Sequence, residues 1–310
     1  TTEIYTLSLH DALPICIDYL HVPSFPEKKA SELQSAKLQM RPKNIPHVQV
    51  HIQQLFQNEK LLGGGEFVLA PVATGLEVRD IAAQVLGLNV TGTLKWEDSS
   101  SSFAGELSGE NIGDTLSEWG YADTMSSETY RSDINVSWPG APTDFALEQL
   151  SGDLYLSFRK GQLYLSDTGS KALRVFGLLN FDTIGRRLRL DFSDLYSRGL
   201  SYDTFKGRVS IAQGVYKTID AITLNGVSSE LTLEGQVDLP TSQVDAEVQV
   251  IMPITNNLPL AAVLAGAPAI GGALFIMDRL VGDRLDKVAA VKYRITGDWQ
   301  DPTMTLEDKL

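Results

Sequence analysis

Apolar and polar residues alternate in short runs along most of this chain. Val48, Val50 and Ile52 alternate with polar neighbours in HVQVHIQQ, Leu163 and Leu165 in GQLYLSD, and Leu188, Leu190 and Phe192 in RRLRLDF. Val209 and Ile211, Leu231 and Leu233, Val237 and Leu239, and then Val244, Ala246, Val248 and Val250 continue the pattern. A period of two belongs to a strand, whose successive side chains point to opposite faces. Turn signals separate the runs roughly every eight to twelve residues, the spacing of an all-β chain. Glycines at 105, 109, 113, 152, 161, 207, 214, 226 and 235 fall where turns and bulges are needed. The pattern predicts a mainly β fold, an antiparallel meander with one apolar face. Strands do not alternate with long helices, which argues against a parallel α/β fold.

Four stretches break the alternation. Asp98 to Ser102 is a serine-rich loop with the character of a solvated hairpin turn. Asn111 to Met125 predicts a short helix capped by Asp114 or Thr115, with Leu116, Trp119 and Gly120 meeting the sheet. Ala172 to Ile184 predicts another short helix. The most distinctive run is Leu258 to Met277, LPLAAVLAGAPAIGGALFIM, which carries no charge. At about 1.5 Å per helical residue it could reach roughly across a bilayer core. Its many Ala and Gly make it only mildly apolar, and Pro268 breaks or kinks it. Beyond Pro268, Ile270, Leu274, Met277, Val281, Leu285 and Val288 recur at spacings of three and four. Asp278, Arg279, Asp283, Arg284, Asp286 and Lys287 fill the opposite side, which predicts an amphipathic helix near the C-terminus. It could pack on the sheet, lie on a membrane or, least in keeping with its composition, span one.

Charge and cysteine use narrow the field. With 26 Lys+Arg against 39 Asp+Glu the net charge is −13, which repels nucleic acid and anionic headgroups alike. A single Cys excludes an internal disulfide framework and a cysteine zinc cage. The opening Thr1–Ile15 has no basic n-region or apolar h-region, so it is not a secretory signal. It resembles a translated sequencing-adapter fragment and is set aside as a spurious or disordered head, leaving Cys16 at the junction. Without it the net charge is −11, since Glu3 and Asp11 go and no base does.

Catalytic constellations are scarce. His47 and His51 are four apart but lie on the polar side of a strand pattern, and no H-E-x-x-H surrounds them. His21 has no visible partner. Gly63-Gly64-Gly65 lacks the Lys-Ser/Thr of a phosphate loop and reads as a turn or bulge between strands. Serine never occurs in G-x-S-x-G. Asp182, Asp191, Asp194 and Asp203 could pair for glycoside hydrolysis, yet Arg186, Arg187 and Arg189 beside them make a salt-bridged strand face the simpler reading. Trp138-Pro139-Gly140 and Trp299 to Pro302 look like strand ends turning into loops. No enzyme, metal or cofactor is expected.

From Trp138 onward a series of motifs falls in a specific order. WPGAPTDFALEQLSGDLYL (138–156) precedes GQLYLSDTGSKALRVFGLLNF (161–181) and RRLRLDFSDLYSRGLSYDTFKGRVSIAQG (186–214). NGVSSELTLEGQVDL (225–239), VQVIMPITNNLPLAAVLAGAPAIGGALF (248–275) and YRITGDWQDP (293–302) follow. This order resembles the C-terminal region of the AsmA-like, TamB-related proteins of diderm bacteria, specifically the YhdP branch. The resemblance divides the chain, after its set-aside head, into a strand-rich groove segment (16–137) and an AsmA-like C-terminal region (138–310) that includes the helical stretch 257–290.

The resemblance implies a long antiparallel sheet curled into an open, β-taco-like apolar groove. It also implies carriage of phospholipid from inner to outer membrane across the periplasm, in a longer protein anchored in the inner membrane. Groove-lining residues would then be Leu163, Leu165, Leu188, Leu190, Phe192, Val209, Ile211, Leu231, Leu233, Val248 and Val250. Leu264, Ile270, Leu274, Met277 and Val281 would lie near a membrane, the outer one at that end. Alternation alone does not distinguish a trough from a filled core, so a structural β scaffold with no lipid stays open beside it.

Overall fold

The computed structural model describes residues 13–22, 45–120, 125–163, 200–226, 230–253, 275–281, 284–299 and 302–307. In chain order come β1 (Leu13–Val22), β2 (Val48–Gln57), β3 (Lys60–Val72), β4 (Gly75–Val85), β5 (Leu88–Glu97) and β6 (Ser100–Gly109). A short helix, α1 (Ile112–Glu118), precedes β7 (Met125–Pro139) and β8 (Ser151–Leu163). Next are β9 (Leu200–Ala212), β10 (Val215–Asn225), β11 (Glu230–Asp238) and β12 (Gln243–Pro253). The last three strands are β13 (Phe275–Val281), β14 (Arg284–Asp298) and β15 (Thr303–Leu306).

Strand neighbours follow chain order from β1 to β12, after which β14 pairs with β12 and carries both β13 and β15 on its other edge. The described path has two ends that do not pair with each other, so this is an open sheet and not a barrel. Every pairing whose register is given is antiparallel except β1 with β2, which run parallel. Turn chemistry explains the meander. Leu86 and Gly87 (φ 49° and 78°) and Gln213 and Gly214 (φ 49° and 79°) are two-residue loops with both central residues left-handed, the type I′ geometry that matches strand twist.

Two compact units divide the chain: residues 1–108 with 133–149, and 109–132 with 150–310. In the first, the end of β7 is pinned to the β5–β6 hairpin. Ser101 Oγ donates to the Gly140 carbonyl at 2.9 Å, and Gly140 N–H donates to Ser99 O at 2.9 Å. Trp138, 5% exposed, donates Nε1–H to Ala141 O and takes Phe145 edge-on at 5.3 Å. In the second unit the core is Tyr130, Phe158, Ile211, Leu224, Val244, Val248, Val250 and Ile295, all nearly or fully buried.

Several expectations are corrected. The amphipathic helix does not form over 275–281 and 284–290: those residues belong to β13 and β14, which pair antiparallel on either side of Gly282-Asp283 in the sequence. Gly-Asp is itself a hairpin signal, and the register sets Asp278 opposite Lys287 and Arg279 opposite Asp286, opposite charges on facing positions. Helix α1 forms where predicted, but Asn111 caps it, its side chain accepting from Gly113 N–H at 3.1 Å. Leu116 is buried, whereas Trp119 is 46% exposed.

The serine-rich loop is shorter than predicted. Only Asp98 and Ser99 lie between strands, and Ser101 is 1% exposed inside β6. Gly63–Gly65 sit within β3, beside register shifts in its pairing with β2, so they serve as a bulge and not a turn. Leu13–Ile15, set aside in the sequence, begin β1 in register with Val48–Val50. His21 does have a partner, since its ring stacks on Phe56 at 5.1 Å. The predicted helix over 172–184, the residues Asp182, Asp191, Asp194, Arg186, Arg187 and Arg189, and the run 257–274 lie outside the described residues.

Candidate functional site

Residues directly opposite one another in a sheet share a face. In the first unit, register therefore builds apolar rows that cross the strands. One row runs Val48, Leu69, Val78, Leu94 and Phe103, from β2 to β6. A second runs Ile52, Gly65, Ala83, Val90 and Leu107. Ile81, Gly92 and Gly105 lie between them on β4, β5 and β6. Apart from Val48, every one of these residues is only half-buried. Val50 and Leu76 on the same face are buried, at 7% and 4% exposed, so the face is covered in part and keeps apolar surface within reach of a partner along these two rows.

Glycine shapes the middle of that face. Gly92 has φ 150°, and a Cβ there would lie 2.7 Å from Gly105 Cα and 3.1 Å from Phe103 Cζ. The Phe103 ring leans over the two glycines and covers backbone that no side chain of theirs protects.

The apolar rows of the second unit hold more fully buried residues. Phe158, Phe205, Leu224, Leu231 and Val250 form one row from β8 to β12. Ile211, Tyr216, Val237 and Val244 form another, and Ile222, Leu233, Val248 and Tyr293 a third. Leu224 is 0% exposed, Val250 2%, Val248 3% and Val244 3%, while Phe205, Tyr216, Ile222, Leu231 and Leu233 are half-buried, so these rows are covered more deeply than those of the first unit.

Polar residues take the opposite face. On β4, Glu77 receives Arg79 Nε at 2.6 Å and lies 3.5 Å from Lys95 Nζ. The hydrogen bond from Arg79 holds the Glu77 carboxyl below the usual glutamate range. On β12 and β14, Glu247 meets Lys292 at 2.7 Å and Arg294 at 3.1 Å, while Arg294 also reaches Asp245 at 2.6 Å. Glu307, just past β15, adds contacts of 3.7 Å to Lys292 and 3.9 Å to Arg294. The Lys292 hydrogen bond lowers the Glu247 pKa, and the same bond raises that of Lys292. This is a charged ladder across three strands, with its polar groups mutually satisfied.

The sequence-predicted lining divides in two. Val209, Ile211, Val248 and Val250 are buried, and Leu163, Leu231 and Leu233 are half-buried, all in the second unit. Leu165, Leu188, Leu190 and Phe192 lie outside the described residues, as do Leu264, Ile270 and Leu274. Met277 and Val281 are in β13. The open rows of the first unit were missed. Their alternation is interrupted by Gly92 and Gly105 and by the β4 bulge at Asp80, which has φ 51°. The detectable signal was Val78 with Leu94 and Phe103 on flanking strands joined by two-residue turns.

His51 is exposed with its Nδ1 3.6 Å from Glu66. Among the described residues no three His, Cys, Asp or Glu gather to hold a metal ion. Among them too, no helix is long and apolar enough to cross a membrane. Cys16 is a free, exposed thiol, and Asp203 is exposed on β9.

Comparison with known proteins adds the context that geometry lacks. The family model described as YhdP protein matches residues 4–304. The chain is 27% identical over 202 residues to the Intermembrane phospholipid transporter YhdP of Escherichia coli (strain K12). That alignment covers 65% of this chain but 16% of the relative, so the chain spans about a sixth of the protein it matches. No solved structure matches it.

Proposed function

This chain belongs to the YhdP family, and on that premise we propose that it forms part of a hydrophobic track along which phospholipid moves between membranes. The observation that carries the reading is the set of half-buried apolar rows on β2 to β6, backed by a polar opposite face. Each methylene withdrawn from water onto such a surface gains about 0.8 kcal/mol. Neighbouring positions are nearly equivalent, so a chain is held firmly yet slides without chemistry. No catalytic step is required, in keeping with a transporter and not an enzyme.

In this reading the sheet curls so that the apolar face is concave, and the direction is from inner to outer membrane across the periplasm. The stretch 257–281, with Leu264, Ile270, Leu274, Met277 and Val281, is the end nearest a membrane. Its β13–β14 hairpin runs beyond β12, whose last residue, Pro253, pairs with Val288 and leaves 284–287 extending past it. Phospholipid extracted from the purified chain and identified by mass spectrometry tests the proposal. A lipid-free protein that takes none up from vesicles would favour the scaffold alternative.

A further inference from the structure

The middle of the first unit's apolar face is bare backbone over two strands, and one side chain covers it. Gly92 of β5 and Gly105 of β6 are direct register partners. Val90 and Leu94 flank Gly92 on its strand, and Phe103 and Leu107 flank Gly105, so both glycines lie on the apolar side. The next position across, on β4, is Ile81. Hydrocarbon following this line therefore leaves the Ile81 side chain and meets two strands without one, about 10 Å at ~4.8 Å per strand.

Backbone geometry keeps both positions glycine. Gly92 has φ 150°, and a Cβ on it would lie 2.5 Å from the Ala104 carbonyl oxygen and 2.7 Å from Gly105 Cα. A Cβ on Gly105 would lie 2.9 Å from Gly92 Cα and press against the Thr91 carbonyl. The gap cannot be filled from these positions without moving backbone, so it is filled from two residues away. Phe103 Cζ lies 3.1 Å from the point where a Gly92 Cβ would stand and 2.8 Å from that of Gly105. The tip of one ring thus occupies the space of both missing side chains.

Phe103 is itself half-buried, as are Leu94 and Leu107 on the same face. Its tip shields peptide groups that water would otherwise reach, while the rest of the ring keeps open surface beside those two leucines. Cover of glycines by an aromatic ring supports strand pairing in any sheet. Here the covering ring also stands on the face proposed to hold lipid, in register with Leu94.

We propose that Phe103 is the residue that makes the lipid track continuous across β5 and β6. It turns a glycine gap into apolar surface, so that an acyl chain crosses these strands without meeting backbone. The inference rests on the transport reading above and names the side chain on which passage over this part of the face depends.

This role needs reach as well as apolar character, and two substitutions separate them. Phe103→Met is long and flexible enough to lie over both glycines, whereas Phe103→Leu is apolar but ends short of them. Each full chain is titrated with vesicles of phosphatidylethanolamine and phosphatidylglycerol that carry a fluorescent phospholipid, and melting is followed by circular dichroism. Phe103→Leu is expected to bind about tenfold more weakly than the parent, and Phe103→Met within about threefold of it. Parent-like binding by Phe103→Leu overturns the proposal, since cover of the glycines then matters to the fold alone. A loss in Phe103→Met as large as that in Phe103→Leu overturns it too, because the ring's own contact and not its cover would be responsible. A further measurement leaves the side chain in place and decides the matter where a variant fails to fold. The chain carrying 3-fluorophenylalanine at position 103 is loaded with phospholipid bearing a nitroxide on its acyl chain. The fluorine signal should broaden; a sharp signal with lipid bound puts the acyl chain elsewhere and overturns the proposal while leaving the transport reading intact. No phospholipid on the parent sinks the transport reading and this inference with it.

Discussion

Placing a carboxylate at Leu94 separates an open apolar track from a filled core. Leu94 lies in the first unit's row, in register with Val78 and Phe103, and is half-buried. In Leu94→Glu the charged group can keep its water on the open side, so the strands should stay paired. A lipid chain crossing that position loses the contact of roughly two or three methylenes at ~0.8 kcal/mol each. That is about 2 kcal/mol, or roughly thirtyfold weaker binding. The control is Leu224→Glu, where the native side chain is 0% exposed and an unpaired carboxylate would be stranded in the second unit's core. Affinity is read by titration with vesicles carrying a fluorescent phospholipid, and folding by circular dichroism on heating. Leu94→Glu should melt near the parent and bind poorly, while Leu224→Glu should fail to fold. Unchanged lipid affinity in Leu94→Glu would refute the track, and so would unfolding comparable to that of Leu224→Glu.

Other outcomes follow from single contacts. Gly105→Ala drives a Cβ against the Thr91 carbonyl and to within 2.9 Å of Gly92 Cα; a loss of about 2–4 kcal/mol is expected from urea denaturation. Ser101→Ala removes the donor to Gly140 O in a buried site and should cost about 1–2 kcal/mol, leaving the urea slope unchanged. The Glu247–Lys292 pair sets a pH dependence. Because the folded Glu247 pKa is lowered, its contribution is present above the ordinary 4.5 and is lost as pH falls through the lower folded value. The raised Lys292 pKa keeps its contribution below the ordinary 10.5 and loses it as pH rises through the higher folded value. The melting difference between the parent and Glu247→Gln should therefore be flat near neutrality, worth at most about 1 kcal/mol, and shrink toward acid. A difference that grows toward acid would contradict the ion pair.

Period-two alternation made β2, β9, β11 and β12 legible, because those strands have one dry and one wet face and little to disturb the count. Helix α1 was legible in place but not in its cap. Asp114 and Thr115 are good capping types, yet Asn111 stands where its Oδ1 reaches both Gly113 N–H and Ser127 N–H, a choice fixed by the strand that follows. The β13–β14 hairpin was misread because Met277, Val281, Leu285 and Val288 fit a helical stripe as well as two short strands. The Gly282-Asp283 pair was the discriminating signal. The open face of the first unit was hidden for a different reason. Whether a residue such as Leu94 is covered depends on what lies above the sheet, and alternation records only which side it faces. The family resemblance, carried by motifs in the second half, drew the expected lining there; of its described residues Val209, Ile211, Val248 and Val250 are buried and Leu163, Leu231 and Leu233 half-buried.

The strand order carries a consequence for how such a chain can lengthen and form. From β2 to β12 each strand pairs with the one made just before it, and within β2–β6 and β9–β12 each hairpin closes over a loop of two to four residues with no distant segment. Assembly can advance like a zipper from several starting hairpins, and damage to one pair leaves the registers farther along intact. Inserting two strands and a turn adds about 9.6 Å of sheet without reordering its neighbours. Reach thus becomes a property that duplication or deletion of hairpins can adjust in small, independent steps.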